Sequence, residues 1–288
     1  MDITFKRLSH VSFQDALALF NKGFEGYLIP MNLTMEQFIG RFGLEGLSVE
    51  LSVVAFDGDR PIGFILQGIR ENNGMKISWN GGTGIIPEYR GKGIGALLMK
   101  EAEHILLENE VAISTLEALS ENEPAIKLYE KCGYEIKDKL LFLSGNGKLI
   151  DQLPDLGNYE IRRFPAFHAI GADLFPSIVP WQTAESMTPK VGGEVVALVK
   201  EGELKAVCLI RKRSIYNQTP EGITLFQVAS GYEHYDTNLL LAHALEYDQP
   251  VSRSTYNFMT GDGNVVNSLL QSGFEHTAIS QVFMIKEQ

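Results

Sequence analysis

Cysteine is nearly absent from this chain: Cys132 and Cys208 are the only two in 288 residues. Two thiols make neither a disulfide framework nor a metal cluster, so no metal is expected and a reducing cytoplasm is the natural setting. Long apolar runs are missing as well. No stretch approaches the roughly 20 residues that span a bilayer, and the start, Met1-Asp2-Ile3-Thr4-Phe5-Lys6, has no apolar core of a secretory leader. Basic charge is short: 25 Lys and Arg stand against 36 Asp and Glu, a net charge of −11. That balance weighs against nucleic acid and anionic membranes as partners and leans towards a cationic acceptor. What is left is 44% hydrophobic and 21% charged, an ordinary globular composition with length enough for two domains.

Glycine, by contrast, is concentrated at one place. The run Pro87-Glu88-Tyr89-Arg90-Gly91-Lys92-Gly93-Ile94-Gly95 joins an apolar extended segment to a helical stretch from Ala96 to Leu107. A loop of this kind offers several backbone N–H groups to one anion, and the following helix adds its positive N-terminal end. Gly93 and Gly95 let the backbone approach a ligand closely, and Arg90 is expected to add charge-assisted bonds to the same oxygens. Pro87 ends the preceding strand. The pattern Arg-x-x-Gly-x-Gly lacks the Lys-Ser/Thr of a P-loop and the spacing of a dinucleotide fingerprint. Ile94, Leu97, Leu98, Ala102, Ile105 and Leu106 recur at intervals of three and four, which predicts a helix with one stripe on a core.

A second segment follows: Asn122-Glu123-Pro124-Ala125-Ile126-Lys127-Leu128-Tyr129-Glu130-Lys131-Cys132-Gly133-Tyr134. Asn122 suits an N-cap, Pro124 the first turn, and Gly133 the position that ends a helix. Ala125, Leu128, Tyr129 and Cys132 share one face, so Tyr129 points inward with a hydroxyl that needs a partner. Cys132 on that face reads as a buried hydrophobe rather than a nucleophile.

In this order the two segments resemble the GNAT N-acetyltransferase superfamily. The strand, Arg-x-x-Gly-x-Gly and helix resemble its acetyl-CoA pyrophosphate motif, and Asn122 to Tyr134 resembles the helix beside the pantetheine arm. Upstream, Leu51 to Phe56 and Pro61 to Gln67 flank Asp57-Gly58-Asp59-Arg60, a hairpin pattern that fits the family's central strands. The resemblance covers residues 3–143. It implies that the backbone of Ile85 and Ile86, ahead of Pro87, bonds the pantetheine arm and the acetyl carbonyl. The N–H groups of Gly91, Lys92, Gly93, Ile94, Gly95 and Ala96, with Arg90 beside them, would hold the pyrophosphate. Asn122 would contact the CoA arm, and Tyr129 would be the general acid that protonates the departing thiolate.

The chemistry gives each role a reason. An alkyl amine with a pKa near 10 is only about 0.1% neutral at pH 7, so exposing its lone pair costs about 4 kcal/mol, and a base must take the proton. Glu117, in the strand-like stretch Ile113 to Leu119, is the preferred carboxylate, with Glu88 in the loop as second choice; pointing to solvent is the competing reading of Glu117. Tyr27, Asn32, Trp79 and Asn80 are candidates to line the acceptor pocket, and for the two aromatics core packing is the equal alternative. Tyr27 lies in Phe20 to Thr34, read as a loop-prone segment.

After the turn-rich Ser144-Gly145-Asn146-Gly147 the chain repeats its first half in diluted form. Val195 to Val199, Glu201-Gly202-Glu203 and Leu204 to Ile210 echo the hairpin. Ile223 to Ala229 reads as the next strand, Leu239 to Leu245 as a helix, and Asp262-Gly263-Asn264-Val265 to Gly273-Phe274 as the second motif, with Leu269 at the place of Tyr129. Where the glycine loop should recur stands Tyr232-Glu233-His234-Tyr235-Asp236-Thr237, whose acids would repel a pyrophosphate. Phe175 to Trp181 reads as a helix-and-loop connector.

The expectation is therefore an α/β protein of two tandem GNAT-like domains, each a mixed central sheet with helices on both faces. Residues 1–144 would be catalytic, and residues 145–288 a degenerate copy without a pyrophosphate loop; an unrelated α+β domain is the alternative for the second half. The implied activity is transfer of an acetyl group from acetyl-CoA to a primary amine of a small molecule. The rivals are a protein or peptide N-terminal acetyltransferase and a non-catalytic CoA sensor. A homodimer is compatible with everything above.

Overall fold

The computed structural model describes residues 1–213, 222–229, 231–261 and 263–288; Asp262, read as the start of the repeated motif, lies outside them. The chain divides into two compact units, one of residues 1–137 with 283–288 and one of residues 138–282.

The first unit runs β1 (Ile3–Arg7), α1 (Phe13–Gly23), α2 (Met35–Leu44), β2 (Ser48–Asp57), β3 (Arg60–Asn72), β4 (Met75–Ile85), α3 (Ile94–Glu108), β5 (Ile113–Leu119) and α4 (Glu123–Lys131). Its sheet has the order β1-β2-β3-β4-β5. The first four strands are antiparallel and β5 is parallel to β4. The hairpin turns where Asp57-Gly58-Asp59-Arg60 predicts, with Gly58 at φ +59, and both strands run longer than the sequence suggests. Residues 20–34 are only partly loop, because α1 continues to Gly23. Ser12 Oγ accepts from Asp15 N–H to start α1, and Thr34 and Gln37 cap α2 reciprocally. Each cap satisfies a donor that a helix start leaves orphaned.

Helices cover both faces of this sheet. On one face α1 stacks Phe20 on Phe64 of β3, with ring centroids 5.4 Å apart. On the other, α3 presses Leu98 so close to Gly63 that a Cβ there would lie 3.0 Å from Leu98 Cδ1. The expected α3 stripe is buried except for Leu97, which is 43% exposed, while Met99 turns inward. Residues 283–288 complete the unit beside β5. Gln288 N–H donates to the Ala112 carbonyl at 3.0 Å, its Nε2 to Ser114 Oγ at 2.6 Å, and Lys286 Nζ bonds Glu103 Oε1.

The second unit is formed from β6 (Glu135–Gly145) beyond Lys137, β7 (Tyr159–Pro165), β8 (Gly193–Lys200), β9 (Glu203–Arg213), β10 (Gly222–Val228), α5 (His234–Ala244), β11 (Ser252–Thr255), β12 (Phe258–Met259), α6 (Gly263–Gln271) and β13 (Glu275–Glu287) as far as Val282. The order β6-β11-β10-β9-β8-β7 repeats the mixed pattern, with β10 and β11 the parallel pair. The repeat is metrical. Helix α6 starts at Gly263, 140 positions after α4 starts at Glu123, and both are nine residues long. Gly133 at φ +88 and Gly273 at φ +98 end them in the left-handed region that glycine adopts without strain.

One face of this second sheet packs Val196, Leu198, Cys208 and Ile210 against Leu240 and Leu241 of α5 and Leu269 of α6. The other packs Val195, Ala197 and Leu209 against Ala166, Ala169 and Phe175. The stretch read as a helix-and-loop connector, Phe175 to Trp181, has no helix before Trp181; short 3-10 turns lie at Ala166–Ala169, Trp181–Thr183 and Thr188–Val191. Among the described residues no helix is long and apolar enough to cross a membrane.

Candidate active site

The glycine loop forms an anion cradle at the start of α3. A 3-10 turn, Pro87–Tyr89, leads into Gly91 at φ +71 and Gly93 at φ +81. Gly93 is the N-cap of α3 and has no side chain to cap with. The N–H groups of Ile94, Gly95 and Ala96 therefore have neither a carbonyl of their own helix nor a capping oxygen from Gly93. Gly95 also lets α4 approach: a Cβ there would sit 2.8 Å from Leu128 Cδ2.

The acids and bases of the loop brace it. Glu88 Oε1 bonds Lys22 Nζ at 2.9 Å and Arg60 at 2.7 Å, and these bonds, with that to Lys22 foremost, lower its carboxyl pKa to about 2. So acidic a group is a poor proton acceptor at neutral pH, which removes Glu88 as the base. Lys92 Nζ stands 5.1 Å over the Tyr89 ring, whose hydroxyl donates to Asp57 at 2.8 Å. Arg90, expected at the phosphate oxygens, is directed elsewhere. Its Nε donates to the Ile85 carbonyl at 2.9 Å, and its Nη2 donates to the carbonyls of Gly23 at 3.0 Å and Glu25 at 2.7 Å. The planar fork ties the loop to the end of α1.

A gap opens beside this cradle. Pairing of β4 with β5 runs from Ile77–Ile113 to Asn80–Leu116, while β4 continues to Ile85 and β5 to Leu119. Ile86 N–H is taken by the Ile62 carbonyl at 3.0 Å. The alternation of an antiparallel ladder therefore turns the N–H of Ile85 away from β3, into the gap. Of the two positions expected to meet the acyl carbonyl, Ile85 is the one whose N–H faces the gap.

A cleft of about 630 Å³ follows the gap, bounded by Tyr27, Thr83, Ile85, Gly93, Asn122 and Tyr129 among others. Tyr129 is buried and hydrogen-bonded to Thr83, and burial pushes its phenol up to about 12. Tyr27 is bonded to Asn122, but burial outweighs that bond and raises its pKa. Asn122 caps α4, accepting from Ala125 N–H at 3.4 Å.

The remaining candidates do not converge. Trp79 and Asn80 are consecutive in β4 and so point to opposite faces, just before a bulge at Gly81 opposite the register shift at Leu66/Gln67. Trp79 lies 5.9 Å from the Arg41 guanidinium of α2, and its Nε1 donates to Glu117 Oε2 at 2.6 Å. Glu117 thus stands at the first β5 position after the strands part. Asn80 turns to the α3 face and bonds Thr83 Oγ1 at 2.8 Å and Gly82 N–H at 3.1 Å, which pins the bulge. Asn32 is exposed between α1 and α2 and is not among the residues that bound the cleft. The sequence reading missed Thr83, Phe24 and Arg41. The cap Ser12 and the capping box Thr34-x-x-Gln37 were the signals that could have placed α1 and α2, and with them the last two.

Residues 17–134 match the profile of the acetyltransferase (GNAT) family. They belong to the GNAT superfamily. An acetyltransferase from Sodalis glossinidius (strain morsitans) is 30% identical over 94 residues, which are 33% of this chain and 63% of that protein, so the match spans less than two thirds of that relative. Among solved structures, a GCN5-related N-acetyltransferase from Sphaerobacter thermophilus superposes with a TM-score of 0.61 at 15% identity, covering 99% of this chain and 95% of that one. A tandem GNAT protein from the clavulanic acid biosynthesis pathway, solved without AcCoA, gives 0.59 at 13% identity and 99% and 98% coverage. The chain therefore has the tandem GNAT fold over its whole length, and its GNAT domain is of an acyltransferase family that uses acyl-CoA.

The GNAT-like second unit has a different helix start at the place of the cradle. Helix α5 opens at His234 with Glu233 as N-cap, at φ −60 rather than in the left-handed region of Gly93. Asp236 is buried in its first turn and hydrogen-bonded to Tyr159. A carboxylate already occupies the positive end of that helix.

Proposed function

We propose that the GNAT domain is an acetyl-CoA-dependent N-acetyltransferase that acetylates a primary amine on a small molecule by direct attack in a ternary complex. The observation that carries this reading is the gap between β4 and β5. The open helix end and Tyr129 lie on its α3 and α4 side, and Trp79 and Glu117 on its α1 and α2 side. Two substrates entering from opposite faces meet there without a covalent acyl-enzyme, and holding both removes an entropic barrier.

Acetyl-CoA supplies the activated thioester carbonyl. The N–H groups at Ile94 to Ala96 hold phosphate, and the Ile85 N–H donates to the carbonyl oxygen as negative charge develops there. Tyr129, kept neutral by burial, gives its proton to the departing sulfur. Glu117, oriented by the Trp79 indole, receives the amine proton directly or through water. The acidic chain favours a cationic acceptor in the cytoplasm.

Release of free CoA across a panel of small amines, amino acids and peptides tests the reading. Turnover concentrated on small primary amines supports it. Turnover on peptides alone, or tight CoA binding with no turnover on any acceptor, overturns it.

A further inference from the structure

The second unit has a cavity of about 240 Å³ where β10 and β11 part, bounded by Thr183, Phe226, Gln227, Asn257, Phe258 and Val265 among others. By register this is the counterpart of the catalytic gap. In the first unit Trp79 faces Thr115 across the parallel pair, and Glu117 follows two positions on. In the second, Leu225 faces Thr255, and Asn257 follows two positions on. Asn257 therefore stands where Glu117 stands, 140 positions later, the same interval that separates α4 from α6.

The polar pair of the first unit has been half dismantled. Trp79 Nε1 donates to Glu117 there, but a leucine now fills the donor's place. The acceptor has stayed. Asn257 is 3% exposed, and its Oδ1 is buried without a hydrogen-bond partner, while its Nδ2 makes a 3.4 Å bond to Gln182 Oε1. Leaving a buried carbonyl of this kind unsatisfied is costly. Its backbone is also held at φ +44, between β11 and β12, a left-handed conformation that asparagine tolerates better than most residues. Asn257 is among the residues that line the cavity.

We propose that this cavity is a binding site for a small uncharged aromatic compound carrying an N–H or O–H donor, distinct from the acyl-CoA cleft. The donor satisfies Asn257 Oδ1, and the rings of Phe226 and Phe258 provide flat apolar walls. The ligand is uncharged because no charged side chain is among the described residues that bound the cavity, and an unpaired charge is costly to bury. The second unit has thus lost the phosphate-binding helix end and kept the gap.

Indole and benzofuran, which match in shape but differ in the N–H donor, test this on the full chain by titration calorimetry with ligand-observed NMR. Indole is expected to bind saturably, and benzofuran about tenfold more weakly, a difference of 1.4 kcal/mol. Asn257→Gly, which keeps the positive φ and removes the amide, should bring the two affinities together. Val228→Phe at the cavity wall should abolish both, and acetyl-CoA affinity should be the same in all three proteins, which separates this site from the proposed acetyl transfer. Absence of indole binding to the unmutated chain, or equal affinity for indole and benzofuran there, overturns the proposal. So does a wild-type preference for indole that survives Asn257→Gly.

Discussion

The Nε of Arg90 donates to the carbonyl of Ile85 at 2.9 Å, so the cation of the glycine loop holds the strand end whose N–H enters the gap. Lysine lacks the planar fork that reaches this carbonyl and those of Gly23 and Glu25 together. Arg90→Lys is expected to raise KM for acetyl-CoA severalfold and to speed amide exchange at Gly26 and Tyr27. An unchanged KM with unchanged exchange would show that the clamp is idle.

Gly93 is at φ +81, and a Cβ there meets no heavy atom within 4 Å. Gly93→Ala therefore tests conformation without a clash, and should destabilise the first unit by about 1–2 kcal/mol. Gly93→Val, with a larger backbone penalty at positive φ and a bulkier screen over the Ile94 to Ala96 N–H groups, should weaken acetyl-CoA binding by at least about tenfold. Calorimetry that returns the wild-type affinity for the valine variant would sink the cradle.

Tyr129→Phe should lower kcat by roughly 10²–10³, within the usual range for a general acid, with little change in CoA affinity. Because the phenol is pushed up to about 12, it should impose no loss of activity up to about pH 11. The same displacement has a stability consequence with a definite sign. The folded value lies above the ordinary 10, so this contribution is complete below pH 10 and is lost as pH rises from 10 through 12. It amounts to roughly 3 kcal/mol, and Tyr247, also raised to about 12 by burial, adds in the same window. Denaturant melts at pH 9 and pH 12 should show the fall, and Tyr129→Phe should flatten part of it.

One acetyl-CoA per chain is expected, because Glu233 and buried Asp236 stand at the start of α5. A stoichiometry of two by calorimetry would overturn the reading of the second unit as a copy without a pyrophosphate site.

Much of this was legible in the sequence, because it is written in local rules. Asn122, Pro124 and Gly133 gave the bounds of α4, Asp57 to Arg60 the hairpin, and the likeness of Gly263 to Phe274 to the second motif the repeat. What failed depended on partners distant in the chain. Arg90 looks like a phosphate ligand beside its glycines, yet its acceptors include residues 65 and 67 positions away. Trp79 and Asn80 look like neighbours in one pocket, but as consecutive strand residues they face α2 and α3 on opposite sides of the sheet. Leu97 satisfied the helical period and still faces solvent, since a period names a stripe without fixing its width.

The six residues that finish the first sheet set an order of events during synthesis. Residues 1–137 have left the peptidyl-transfer centre long before residues 283–288 exist. At 5–20 residues per second the delay is roughly 7–30 s. Throughout it β5 has an open edge, the kind of surface on which strands of other chains pair. The domain translated first is the last to be completed, and its activity should appear only after the final strand is released.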